Sequence, residues 1–328
     1  MRRPILLAVV FGILGVTCAR GASYDVEAVK KAVKPLVFKE SDYPEAVEKY
    51  FKYYRLDIEG VEHMFGSVEA GKKTLVSHVF RPAKSKGTVL LVHGYYDHAG
   101  IMARLIEELV AKGYTVAMYD QPGHGLSEGA RADIGDFSEY VAALRDFTAL
   151  CAEELDGPFY LVGHSLGGAA VCDYVLTTDE TPFDKVILMA PLIRSAAWRM
   201  SGFGHAVAGS VVDSVPRVFR RNSSDKRFLK FMKNDPLQAK RVPMGWLEAL
   251  RDWNKRVAKY QASDKPVKVI QGTKDTTVSW KYNMKLLKRK FTNAEVVTVE
   301  GAGHQLMNES EKLRGKVFEE ITGYLQEE

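Results

Sequence analysis

Two pentapeptides of this chain match the pattern G-x-S-x-G, and only one stands where a serine could attack a carbonyl. Gly163-His164-Ser165-Leu166-Gly167 directly follows an apolar run, 158–162, and directly precedes a helix-like run, 168–176. A strand, a sharp turn and a helix hold a serine out from its backbone as a nucleophile, and glycines beside it leave room for the turn. Gly125-Leu126-Ser127-Glu128-Gly129 has the same letters, but the strand-like run 114–119 ends well before it and no apolar helix follows. Ser165 is therefore the candidate nucleophile and Ser127 a loop residue.

A serine hydroxyl is nearly inert at neutral pH, so it needs a base, and the base needs a group that orients it. In a strand–turn–helix setting the acid and then the histidine follow the serine along the chain. Val267-Lys268-Val269-Ile270 reads as a buried strand, and Asp275 sits in the loop just past it, whereas Asp264 lies on the wrong side of that strand. Val296-Val297-Thr298-Val299 reads as another strand, followed by Glu300-Gly301-Ala302-Gly303-His304. Ser165, Asp275 and His304 form the expected triad. Acyl transfer also needs donors aimed at the developing oxyanion. One is the backbone N–H of Leu166; the other is that of Tyr95, in the loop His93-Gly94-Tyr95-Tyr96-Asp97-His98 after the strand-like run 88–92. His93, His98, His124 and His164 also lie in strand-end loops, without cysteines or carboxylates at metal-ligand spacing. They are expected to brace loops, and neither a metal nor a cofactor is expected.

The elements that must position these groups follow from the pattern of the chain. Strand-like and helix-like segments alternate from Thr88 onward, which implies a mostly parallel α/β sheet with helices on both faces. With 328 residues, 46% of them apolar, one large domain with an insertion is expected. Residues 24–54 read as one or two amphipathic helices broken at Pro35 and Pro44, and 55–79 as antiparallel edge strands turning at Ala70-Gly71-Lys72. This segment shows no chemistry; its expected role is to extend and cover a sheet edge. Cys151 and Cys172 lie in apolar helical segments and read as buried small hydrophobes.

Residues 1–23 read as an export signal: Arg2 and Arg3, then the apolar run 5–16, then small residues from Thr17 to Ser23. The protein is expected to be exported, periplasmic or secreted, with Cys18 or an uncleaved signal as alternative anchors. The core is expected over 24–191 and 264–328, with a helical cap over 192–263. Within the insertion, helices are expected at 196–212, 225–232 and 245–262. Trp198 and Phe203 in this cap, with Tyr96, are the expected substrate-binding side chains. From Leu192 to Arg241 eleven Lys and Arg stand against three Asp, a local net of +8 within a chain of net +5. A solvated face explains such a surplus; attraction to anionic membrane or to a phosphate-bearing substrate is the sharper explanation. Nucleic acid is not an expected partner, since no module for it accompanies the charge.

Taken together, His93-Gly94, Asp120-Gln121-Pro122-Gly123-His124-Gly125-Leu126-Ser127-Glu128-Gly129, Gly163-His164-Ser165-Leu166-Gly167-Gly168, Met189-Ala190-Pro191 and Gly303-His304 resemble the monoacylglycerol lipase and lysophospholipase group of α/β-hydrolases. Members of that group are also classed as serine aminopeptidase-like. The resemblance runs roughly from Glu59 to Leu325. It implies the α/β-hydrolase fold, Ser165 as nucleophile, Asp275 as acid, His304 as base, and the amides of Tyr95 and Leu166 as oxyanion hole. One departure is the pair of bulky tyrosines in the oxyanion loop, expected to narrow the acyl entrance. The expected activity is hydrolysis of carboxylic esters of monoacyl lipids, either monoacylglycerols or lysophospholipids. The rivals are a general carboxylesterase, a proline- or amino-peptidase of the same fold, and a non-catalytic binding protein. A peptidase would want acids in the cap to hold a free amine, and this cap is basic.

Overall fold

The computed structural model describes residues 23–39, 41–196, 198 and 212–327. Residues 1–22, with the export segment and Cys18, and most of the expected cap helix 196–212, with Phe203, lie outside them. Two short helices, α1 (Val26–Ala32) and α2 (Glu45–Tyr54), precede a long hairpin of β1 (Val61–Ala70) and β2 (Lys73–Pro82). The chain then alternates: β3 (Thr88–Val92), α3 (Ala103–Ala111), β4 (Thr115–Tyr119), α4 (Ser138–Glu154), β5 (Phe159–His164), α5 (Leu166–Thr177) and β6 (Phe183–Met189). After the insertion, β9 (Val267–Gly272), α8 (Trp280–Lys290), β10 (Ala294–Val299) and α9 (Glu311–Gln326) complete the core. The insertion itself holds β7 (Ser214–Pro216), α6 (Lys226–Asn234), β8 (Arg241–Pro243) and α7 (Met244–Lys259).

Among the described residues the main sheet runs β1-β2-β4-β3-β5-β6-β9-β10. Only β1 and β2 are antiparallel to their neighbours; every other pairing is parallel. The central strands β3 and β4 are buried at every position, as parallel strands covered on both faces must be. Their side chains alternate between two cores. Leu90 and Val92 face α4, α5, α7 and α8, while Val89 and Leu91 face α1, α2, α3 and α9. Residues 34–36 pair with Ser67 and cover part of the free edge of β1.

The insertion differs from its expected form. Helices occupy 226–234 and 244–259 as anticipated, but a two-stranded antiparallel ribbon of β7 and β8 was not legible. Each of its strands is three residues long, too short for a period-2 pattern to register. Helix α7 buries Trp246, Ala249, Leu250, Trp253 and Val257, spacings of three and four that face one stripe into the core.

Candidate active site

The turn between β5 and α5 places Ser165 at φ +52°, a left-handed conformation rare for a residue with a side chain. Hydrogen bonds hold it there. Its N–H donates to the Met189 carbonyl (2.9 Å), and its own carbonyl accepts from Leu192 N (2.9 Å) and Ala169 N (3.0 Å). The flanking glycines are required by contact: a Cβ on Gly163 would lie 2.7 Å from the Gly167 carbonyl oxygen, and one on Gly167 2.1 Å from that of Val92. The second G-x-S-x-G match has a different job. Ser127 Oγ donates to the Asp120 carbonyl (2.6 Å) and accepts from Val76 N (2.8 Å), tying the loop after β4 to β2.

Residues far apart in sequence meet at Ser165. Its Oγ lies 2.8 Å from His304 Nε2, and His304 Nδ1 lies 2.8 Å from Asp275 Oδ2. With the serine as donor to Nε2, the remaining imidazole proton sits on Nδ1 and points at the carboxylate. Asp275 leaves β9 and His304 leaves β10, parallel neighbours whose ends lie side by side. Asp275 Oδ1 accepts from the amides of Thr277 (2.8 Å) and Val278 (3.1 Å), and Oδ2 also from Gln271 Nε2 (3.1 Å). Burial would raise its carboxyl, but the charge and hydrogen bond of His304 and these amides outweigh it and hold it below the usual range. Burial would lower His304; Asp275, and at longer range Asp97, outweigh it and raise the imidazole above 6.5. The amides of Tyr95 and Leu166 donate to none of the described residues. Leu166 opens α5, where the first N–H groups lack intrahelical partners.

Contacts that no sequence pattern announces surround this core. The Asn222 carbonyl, from the insertion, accepts from the amides of both His304 and Gln305 (3.0 Å each). His164 Nε2 donates to the His304 carbonyl (3.0 Å), and its Nδ1 stands 3.4 Å from Asp97 Oδ2. Gln305 Nε2 reaches the same Asp97 carboxylate (3.1 and 3.2 Å). The loop that carries the imidazole is thus held from the insertion on one side and from Asp97 and His164 on the other. His93 donates Nδ1–H to the Gly94 carbonyl and accepts from Gln121 N at Nε2, both 2.8 Å; burial pushes it down to about 3. His98 pairs with Asp235 of the insertion (2.8 Å), and Asp235 also accepts from Tyr54 (2.6 Å), whose hydroxyl lies 2.9 Å from that of Tyr24. Helices α1 and α2 therefore do more than cover an edge: their region helps fix the oxyanion loop and the insertion through Asp235.

Ser165 and His304 line a cavity of about 570 Å³, within the roughly 300–1,000 Å³ of small-molecule sites. Tyr95 and Tyr96 both form part of its wall. Tyr95 does not swing across it: the ring stacks 3.7 Å from Trp246 and the hydroxyl donates to the Ala132 carbonyl (2.7 Å). Trp198 is not among the described lining residues. Its indole lies 5.3 Å from the Arg194 guanidinium and 4.9 Å from that of Arg251, within cation–π range, and packs on the core. Cys151 and Cys172 are buried and unpaired.

The family model for serine aminopeptidase, S33, matches residues 83–311. A monoacylglycerol lipase of Mycolicibacterium smegmatis is 27% identical over 80% of this chain and 96% of its own length. The human monoglyceride lipase is 26% identical over 77% of this chain and 87% of its own. A solved structure, a soluble variant of the Saccharomyces cerevisiae monoglyceride lipase with a substrate analogue, superposes with a TM-score of 0.69 at 20% identity, covering 82% of this chain and 96% of that one.

Proposed function

We propose, for a chain that belongs to the serine aminopeptidase S33 family of α/β-hydrolases, hydrolysis of the carboxylic ester of monoacyl lipids through an acyl-enzyme on Ser165. The observation that carries this reading is the continuous contact from Ser165 through His304 to Asp275 beside a largely apolar cavity. Relatives named as monoacylglycerol lipases, matched over most of their length, support the substrate class.

In this reading His304 Nε2 takes the Ser165 proton as Oγ attacks the ester carbonyl. The tetrahedral oxyanion is held by the N–H groups of Tyr95 and Leu166, donors worth about 100- to 1,000-fold each in comparable sites. His304 returns the proton to the leaving alcohol, then activates water to release the fatty acid, while Asp275 keeps the imidazole in the required tautomer. The apolar wall takes the acyl chain at about 0.8 kcal/mol per buried CH₂, so kcat/KM should rise with chain length. The basic insertion also draws the protein to anionic lipid surfaces, which sedimentation with vesicles of defined charge tests. Residues 1–23 act as an export signal, which N-terminal sequencing of the mature protein tests.

The deciding experiment is hydrolysis of monoacylglycerols, p-nitrophenyl esters, and proline and alanine anilides by the purified protein, with Ser165→Ala as blank. Long-chain monoacyl esters should be preferred and Ser165→Ala should lose turnover while keeping its fold. Equal kcat/KM for acetyl and dodecanoyl esters would exclude the lipid reading, and turnover of anilides alone would make the protein a peptidase.

A further inference from the structure

The cavity over Ser165 carries charge that cleavage of a neutral ester does not use. Among its described lining residues Arg217, Arg220, Arg221 and Lys233 stand against a single carboxylate, Asp97. Asp97 is buried and already engaged by His164 and Gln305. We propose that this cavity selects monoacyl lipids whose head group carries a phosphate, with Arg217 and the Arg220–Arg221 pair as the anion-binding side; the proposal rests on the ester-hydrolase reading above.

Arg217 is the built part of the site. Its guanidinium lies 3.8 Å from the ring centre of Tyr96 and 4.4 Å from that of Phe219. Nη1 donates to Gln238 Oε1 and to the Ala239 carbonyl (3.2 Å). Gln238 is itself fixed, donating from Nε2 to the Tyr96 carbonyl (2.8 Å). Nε and Nη2 donate to none of the described residues, so two donors of a pre-oriented fork remain for an oxygen anion. A guanidinium held on aromatic faces and partly withdrawn from water gains more from an anion than a solvated surface arginine does.

Arg220 and Arg221 are exposed, yet their backbone is not free to wander. Arg220 Nη1 donates to the Thr276 carbonyl (2.9 Å), next to Asp275, and the following carbonyl, Asn222, takes the amides of His304 and Gln305. Arg220 is therefore tied beside Asp275, and Arg221 directly precedes the residue that holds the His304 loop. In a monoacyl glycerophospholipid a glycerol unit separates the scissile ester from the phosphate, which suits an ester at Ser165 and a phosphate at the cationic wall. Leu229, Met232, Val242 and Leu247, on the same cavity, supply apolar surface for the chain. A neutral glycerol head group would leave these charges without a partner, and a free amine would be repelled.

The test compares octanoylglycerol with octanoylglycerol phosphate, both kept monomeric so that attraction to a lipid surface plays no part. The readout is the ratio of their kcat/KM values, in which a general loss of activity cancels. The phosphate compound should be favoured roughly tenfold or more at low salt, with the ratio falling as salt screens the charges. The ratio should drop toward one in Arg217→Gln and in the double variant Arg220→Gln with Arg221→Gln, whose exposed side chains keep the test valid should Arg217→Gln fail to fold. A ratio at or below one with octanoylglycerol turned over overturns the proposal and leaves the ester hydrolase standing. A high ratio that neither variant moves overturns the assignment to these arginines. A preference seen on vesicles but not on monomers means surface attraction and overturns head-group selection. Failure to cleave either lipid, with short esters still cleaved, removes the lipid reading and this proposal together.

Discussion

Two buried carboxylates act on one imidazole by different routes. Asp275 touches His304 Nδ1, while Asp97 reaches the same loop through Gln305 and His164 and adds its field. Both favour the protonated imidazole, so the acid limb of kcat/KM should lie above 6.5, the ordinary value for histidine. Asp97→Asn keeps the shape and removes a negative charge, so the limb should move to lower pH while the plateau survives. A limb that stays in place or moves up would show that Asp97 has no electrostatic hold on the base. Asp275→Asn should do far more, costing on the order of 10⁴-fold in rate, because an amide facing Nδ1 favours the wrong tautomer.

Elements distant in sequence are joined at Asp235. This residue follows α6, pairs with His98 of the oxyanion loop and accepts from Tyr54 at the end of α2. Burial would lower His98, but Asp235 outweighs it and holds the imidazole above its ordinary value; Nε2 donates to the Asp235 carboxylate while Nδ1 accepts from Gly100 N (3.2 Å). Tyr54→Phe removes one hydrogen bond to a buried carboxylate and should cost about 2 kcal/mol of stability, read from urea denaturation. A change below roughly 0.5 kcal/mol would mean that His98, the amide of Leu237 and Gln238 Nε2 satisfy Asp235 without Tyr54.

For the molecule as a whole, protons taken up by the unfolded chain set the pH dependence of stability. Burial pushes His63 and His93 down to about 3, His124 to about 4, and His78 well below 6.5. Between those values and 6.5 the unfolded chain binds more protons than the folded one, so stability falls as pH drops through that window. Asp120 and Asp173, raised by burial, oppose this, two carboxyls against four imidazoles. Asp97, Asp235 and Asp275 are held below 3.8 and stay ionised there. Above 6.5 the raised His98 and His304 reverse the sign, since the folded state then holds the extra protons and loses their stabilisation as pH rises through their folded values. The melting temperature should climb from about pH 4 to about pH 6.5 and decline beyond it. A steady climb through neutral pH would show that the two raised histidines are neutral in the folded state.

Ser165, Asp275 and His304 are legible in the chain because each follows a strand-like run, Ser165 directly before a helix and the other two in short loops with glycine. Parallel strands deliver such loops to one edge of a sheet, so order along the chain becomes neighbourhood in space. The alternating pattern of the core and the two helices before the hairpin are legible for the same reason: periodicity is local. What the tertiary structure alone decides is which distant groups meet. The Asn222 carbonyl holds the His304 loop, yet every residue has such a carbonyl, so no letter marks it. Eleven cations of the insertion look alike in sequence; only packing sets Arg217 on Tyr96 with donors to spare. Trp198 reads from sequence as an aromatic of the insertion; packing alone sets it between the guanidinium groups of Arg194 and Arg251. Tyr54 meets Asp235 across 181 residues of chain, a pairing fixed by the shape of the buried space between them rather than by any spacing.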